Sequence, residues 1–192
     1  MTSEKARPGL PKNARCVFKG NIFEVWQWDQ KMFDGSSAVF ESIWRYPTVE
    51  IIATVGDKIL IENQDQPDRK NKITLPGGRA DNGDDILEEA KRELLEETGY
   101  GSHDWRLFKT ISLKGKLLYD NHFFIARDCQ KIKEPELDPG EKIATKMITF
   151  DEFIKLSNEP KFWISQQFIN LLLRAEYDKK EKKELRRKIF GE

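Results

Sequence analysis

The sequence predicts an α+β fold with a small antiparallel β sub-domain at its N-terminus. Three observations predict it. Strand-like alternation surrounds a Gly20-Asn21 turn near the start of the chain. A hairpin pattern follows, and one stretch of helical periodicity, from about Asp84 to Thr98, then interrupts a series of short strands.

Taken in order, residues 1–14 read as a flexible lead-in. Within 15–47, Val17-Phe18, Ile22 to Trp26 and Ala38 to Trp44 alternate as strands, with Phe33 to Ser37 as a loop. So small a sheet is not stable alone and must pack on the rest of the chain or on a second copy. Tyr46-Pro47 marks a boundary, and 48–176 is the main domain. There Val49 to Val55, the turn Gly56-Asp57 and Ile59 to Glu62 predict a β-hairpin. Polar residues Asn63 to Lys72 read as a loop, and Ile73-Thr74-Leu75 as a short strand running into Pro76-Gly77-Gly78. The helix ends at Gly99, a suitable C′ residue. Strands return at Trp105 to Ile111, Leu117 to Ala126 and Ala144 to Thr149. Thr149-Phe150-Asp151-Glu152 is a capping box opening a short helix. A long helix is expected from near Lys161, and residues 177–192 read as its solvated, mixed-charge end.

Composition excludes several classes. Lys+Arg and Asp+Glu stand at 33 each in 192 residues, so no global field favours nucleic acid or an anionic membrane. No apolar run is long enough to span a bilayer, and the N-terminus lacks the apolar core of a signal peptide. Cys16 and Cys129 lie in no metal-ligand spacing and read as reduced thiols of a cytoplasmic protein. His103 and His122 are too few and too scattered for a zinc site.

The chemistry concentrates in Gly78 to Tyr100. Leu87, Ala90 and Leu94 share one stripe of the helix, whereas Glu89, Glu93, Glu96 and Glu97 share another. Like charges at i, i+4 destabilise a helix by roughly 0.2–0.5 kcal/mol per pair, and acids in the last turn oppose the macrodipole. A solvated acidic face is the ordinary explanation of such a run. Here, however, the glutamates crowd where acids are least favoured, and a divalent cation converts the repulsion into oxygen coordination. Gly77-Gly78 lets backbone groups approach the same cavity.

This segment resembles the Nudix box. That pattern is a glycine, five residues, a glutamate, seven residues, then Arg-Glu-apolar-x-Glu-Glu-x-Gly-apolar. Gly78 is the first glycine, Asp84 stands where the family has glutamate, and Arg92 to Tyr100 follow in order, with Tyr100 as the last apolar position. The resemblance implies an α/β/α sandwich, the Nudix fold. It implies that Glu93, Glu96 and Glu97 ligate Mg²⁺, with Mn²⁺ as a substitute, and that the Gly77 carbonyl completes the shell. Arg92 would orient Glu93, and Asp84, one methylene short, would support the cluster through water. The family often draws its general base from a loop after the box; Glu141 is the candidate, with Glu136 and Asp138 as alternatives.

The layout further resembles the ADP-ribose and nucleoside-diphosphate-sugar pyrophosphatases, which carry an N-terminal β sub-domain and commonly form a swapped homodimer. Phe18 to Phe23, Gly35, Phe40-Glu41-Ser42 and Leu75 to Arg79 carry that likeness. By it Phe40 would stack on the base, and Arg79, with Gly78, would meet the phosphates; sheet packing explains Phe40 equally well. Two departures stand out: Gln64-Asp65-Gln66 lacks the arginine of the branch's Gln-x-Arg motif, and no proline follows the box near Leu113 to Lys116. The expectation is a Mg²⁺-dependent pyrophosphohydrolase acting on a small nucleotide, without membrane or nucleic-acid partners. A triphosphate or capped-RNA hydrolase and a catalytically silent sensing module remain alternatives.

Overall fold

The computed structural model describes residues 7–80 and 85–191. The chain forms two compact units. One comprises residues up to Pro47 with Ile111–Asn121; the other comprises Thr48–Thr110 and the residues from His122 onward.

In the first unit β1 (Arg15–Lys19), β2 (Phe23–Lys31) and β3 (Ser37–Arg45) form an antiparallel meander. Ile43 and Trp44 also pair in parallel with Leu117 and Leu118. Trp26, Trp44 and Leu118 make its small core. Within it Glu24 is fully buried, accepting from the Arg7 guanidinium at 2.6 and 2.9 Å and from the Trp26 indole at 2.9 Å. Arg7 also lies over the Trp44 ring. A buried carboxylate is tolerable when paired and hydrogen-bonded in this way.

In the second unit β4 (Thr48–Val55) and β5 (Lys58–Gln66) form the expected hairpin, which continues through β6 (Arg69–Thr74). Helix α1 (Ile86–Thr98) follows, and β7 (Tyr100–Gly101) leads into β8 (Asp104–Leu113) and β9 (Leu117–Arg127). The unit boundary falls within these last two strands. Short β10 (Gln130–Lys131) pairs with β7, and β11 (Lys142–Thr149) lies along the whole of β5. Helices α2 (Phe150–Lys155), α3 (Gln166–Tyr177) and α4 (Lys179–Phe190) complete the chain.

Alternation along the strands assigns the layers. Val49, Ile51, Ala53, Leu60 and Phe124 pack with Ala90 and Leu94 of α1. Phe123, one residue from Phe124 and so on the opposite face, stacks on Phe168 of α3 at 4.5 Å between centroids, with Phe153 of α2 edge-on. The second unit is therefore a sheet between helices, an α+β sandwich.

Three expectations need correction. Asn63 to Lys72 is not a loop, because β5 and β6 extend through it, with Gln64 opposite Lys72 and Gln66 opposite Arg69. Backbone pairing there overrides a polar composition. The long helix begins at Gln166 rather than near Lys161, since Ile73 and Phe162 form a bridge that holds the preceding residues extended. The tail is not a solvated helix end either. Asp178 breaks the helix in an extended conformation and its side chain caps the N–H groups of Lys180 and Glu181, so α4 starts afresh and buries Leu185 and Ile189.

Candidate active site

Helix α1 is set by its two ends and one apolar stripe. The Asp85 side chain accepts from the Leu87 N–H at 2.9 Å, and Gly99 closes the helix at φ 71° with its N–H on the Leu95 carbonyl. Burial of Ala90 and Leu94 fixes the rotation, and the glutamates then fall on an adjoining face. Glu89 and Glu97 are themselves buried, at 7% and 4% exposure.

The turn before the helix is shaped by glycine. Gly77 has φ +155°, and a Cβ there would run into the Val49 carbonyl. At Gly78 a Cβ would strike the carboxylate of Glu93, so this residue must be glycine for Glu93 to sit where it does. The Gly77 N–H donates to Glu97 Oε2 at 2.7 Å. Val49 and Ile51 donate to the carbonyls of Gly78 and Pro76, which flank Gly77, and hold the turn against β4.

Arg92 spans the glutamates, donating to Glu89, Glu96 and, at 2.8 Å, Glu93. These acids hold its guanidinium well above the usual arginine range. One cation does not satisfy so many carboxylates. Burial, with Glu89, Glu96 and Glu141 adding to it, pushes Glu93 up to about 7 against the pull of Arg92. Glu97 is raised well above the ordinary value, first by burial and then by Glu62, Glu93 and Glu141.

The loop after β10 is tied to the end of this helix. Ile132 and Lys133 donate to the Gly99 carbonyl, and the Glu136 N–H to that of Glu96. Its three candidate acids differ in situation. Glu136 is exposed and paired with Lys133 at 2.7 Å, and Asp138 is exposed. Glu141 is half-buried, accepts from Gln66 at 3.3 Å, and is raised by burial and by Asp138.

With a glycine turn, a glutamate-bearing helix and an acidic loop joined in this way, the comparison with known proteins is specific. The NUDIX domain model matches residues 44–171. The chain belongs to the NUDIX family. It is 25% identical to the methanol dehydrogenase activator of Bacillus methanolicus, over 80% of this chain and 85% of that protein. It is 24% identical to the ADP-ribose pyrophosphatase of Bacillus subtilis (strain 168), over 73% of this chain and 78% of the relative. A crystal structure of an ADP compounds hydrolase superposes with a TM-score of 0.68 at 22% identity, covering 84% of this chain and 90% of that one.

In this Nudix hydrolase Glu93, Glu96, Glu97, Arg92, Gly77, Gly78, Arg79 and Glu141 all lie in the second unit, whereas Phe40 lies in the first. Arg79 is exposed and bridges Thr48 through its backbone. Phe40 is partly covered by Trp28, at 6.1 Å between ring centroids, and by Lys116, whose Nζ stands 4.6 Å over its ring. Asp84 lies outside the described residues.

Sequence reasoning missed two participants. Glu89 shares the acidic face of the helix, and the structure shows it as a buried partner of Arg92. Glu62 reads in sequence as the end of a strand, yet it is fully buried and pushed up to about 8 by burial and by Glu141, Glu50 and Glu93, against one hydrogen bond from Thr74. Its only sequence signal is spacing: Glu62 is two residues beyond Leu60 and so shares the face that meets α1.

Among the described residues no three acids are already closed into a cation cage. The donor set nevertheless fits a hard divalent ion. It consists of carboxylates and backbone carbonyls, and one buried carboxylate oxygen, Glu62 Oε1, has no hydrogen-bond partner.

Proposed function

We propose that this chain is a Mg²⁺-dependent pyrophosphohydrolase that cleaves the phosphoanhydride bond of ADP-ribose or a closely related nucleoside-diphosphate conjugate, with Mn²⁺ able to substitute. The carrying observation is that buried Glu97 and part-buried Glu93 bring their carboxylates to the Gly77-Gly78 turn. Two of the proteins this chain resembles are named an ADP-ribose pyrophosphatase and an ADP compounds hydrolase, which favours ADP-ribose.

Glu93, Glu96, Glu97 and the Gly77 carbonyl would hold the metal, which supplies neutralisation of the diphosphate and activation of water. Arg92 positions Glu93 by a charge-assisted hydrogen bond. Glu141, half-buried and with its proton affinity raised, takes the proton from the attacking water. Arg79 meets a phosphate, and Gly78 leaves the approach open. Water adds to one phosphorus, the bridging P–O bond breaks, and ADP-ribose yields AMP and ribose 5-phosphate.

Mass spectrometry of the full chain with Mg²⁺ and a panel of nucleoside-diphosphate conjugates tests the reading. AMP from ADP-ribose is expected, and Glu141→Gln should slow turnover by about 10²–10⁴-fold if it is the general base. Silence across the panel would overturn the assignment. A capped-RNA substrate is less favoured, because cations of the tail are engaged locally: Lys182 with Asp151, Lys188 with Glu184, and Arg186 over Phe150 and Phe190.

The protein is further proposed to be a cytoplasmic homodimer. Val17, Phe18, Phe23, Val39 and Ile43 leave apolar surface exposed on the first unit, which a second copy would cover. Both cysteines are free, and no helix among the described residues is long and apolar enough to cross a membrane.

A further inference from the structure

We propose that Glu62 is an additional carboxylate of the cation site, delivered from strand β5 rather than from the helix or the acidic loop. This rests on the reading that Glu93 and Glu97 hold a divalent metal.

Position comes first. Strand β5 runs from the core toward the acidic loop. Leu60 packs with Ala90 and Leu94 of α1, and Gln66 donates to Glu141 at 3.3 Å. Side chains two apart share a face, so Glu62 lies on the α1 face between those two anchors. Glu62 stands opposite Thr74, two residues before the turn that opens at Pro76. The Gly77 N–H of that turn is bound by Glu97. Among neighbouring charges, Glu62 acts most strongly on Glu97, ahead of Glu93 and Glu141. Helix, turn, loop and strand thus each bring an element of one acidic cluster.

Satisfaction comes second. Glu62 is fully buried, yet only Oε2 has a partner, the Thr74 hydroxyl at 3.3 Å. Oε1 is buried without one. The charges that act on Glu62 most strongly are carboxylates, those of Glu141, Glu50 and Glu93. An apolar residue would suit a strand reading Lys58-Ile59-Leu60-Ile61 better, since an uncompensated buried carboxylate is destabilising. Protonation alone does not resolve the site, because a carboxylic acid proton on Oε1 would also need an acceptor. A divalent cation shared with Glu97 supplies what both oxygens and the neighbouring acids need.

Mn²⁺ binding to the full chain, followed by loss of the free-ion paramagnetic resonance signal and by calorimetry, tests the assignment without substrate. Glu97→Gln is the control for the underlying reading and should abolish binding in either case. Glu62→Gln should weaken Mn²⁺ about ten- to a hundred-fold, while raising the melting temperature of the metal-free protein. If Glu62 is instead a neutral structural acid, glutamine mimics it, and unchanged Mn²⁺ affinity and stoichiometry in Glu62→Gln overturn the proposal while leaving Glu97 in place. Glu62→Asp keeps the charge but withdraws it by one methylene. Weakened Mn²⁺ binding by that variant supports the assignment even if the glutamine form does not fold, and wild-type affinity overturns it. A wild-type protein that leaves Mn²⁺ free in solution overturns this inference together with the metal reading itself.

Discussion

At Gly78 a missing side chain does as much as a charged one. The space a Cβ would fill is taken by the Glu93 carboxylate, the mobile end of a side chain rather than backbone. Gly78→Ala should therefore leave the melting temperature nearly unchanged while reducing turnover, because Glu93 gives way more easily than the fold. In the first unit, Glu24 presents the reverse electrostatics. The Arg7 hydrogen bonds hold its carboxyl below the ordinary carboxylate range, against the opposing effect of burial. A depressed folded value means that the folded state binds fewer protons than the unfolded chain. Its stabilisation is complete above the ordinary glutamate value and disappears as pH falls through the lowered one. Urea midpoints measured between neutral and strongly acidic pH should show that loss in the wild type, and a flatter profile in Glu24→Gln.

The elements explain where the acids go. Helix α1 is held by an apolar stripe and two caps, none of which depends on its glutamates, so its last turn is free to carry charge that opposes the macrodipole. Strand β5 is held by β4, β6 and β11, and so tolerates one buried glutamate. Helix α4 is the surprise. Among its charged residues Leu185 and Ile189, four apart, are buried, and Arg127 donates to the carbonyls of Lys188 and Ile189 at its C-terminus. Leu185→Ala should cost about 2–5 kcal/mol in chemical denaturation, whereas an exposed helix end would lose almost nothing.

For the whole molecule the unbalanced term is the acidic cluster. Glu62 and Glu97 are buried with raised proton affinity, so at neutral pH the metal-free fold bears a charge-burial penalty. A divalent cation that binds only the folded state should raise the melting temperature, with a gain that grows with concentration and is reversed by a chelator. Differential scanning calorimetry with Mg²⁺, Mn²⁺ and a chelator tests this, and a melting temperature indifferent to all three would refute it. At the same scale, light scattering should report a dimer that Phe18→Asp and Val39→Asp convert to monomer, since both residues are exposed.

The sequence alone determined whatever repeats along the chain at short range. The hairpin at Gly56-Asp57, the Thr149–Glu152 capping box, the Gly99 stop and the ordered glutamates of α1 are local patterns, and the structure keeps each of them. Membership of the Nudix family followed from spacing within one segment, 78–100. Only the tertiary structure decided which acids meet. Spacing from Leu60 puts Glu62 on the α1 face, but nothing in the chain shows which acids act on it, because they come from a helix and a loop far along the sequence. The same limit hid the β5–β6 pairing and the buried face of α4. Backbone hydrogen bonds across strands and apolar burial against a distant surface are contacts in space, and local composition carries little trace of them.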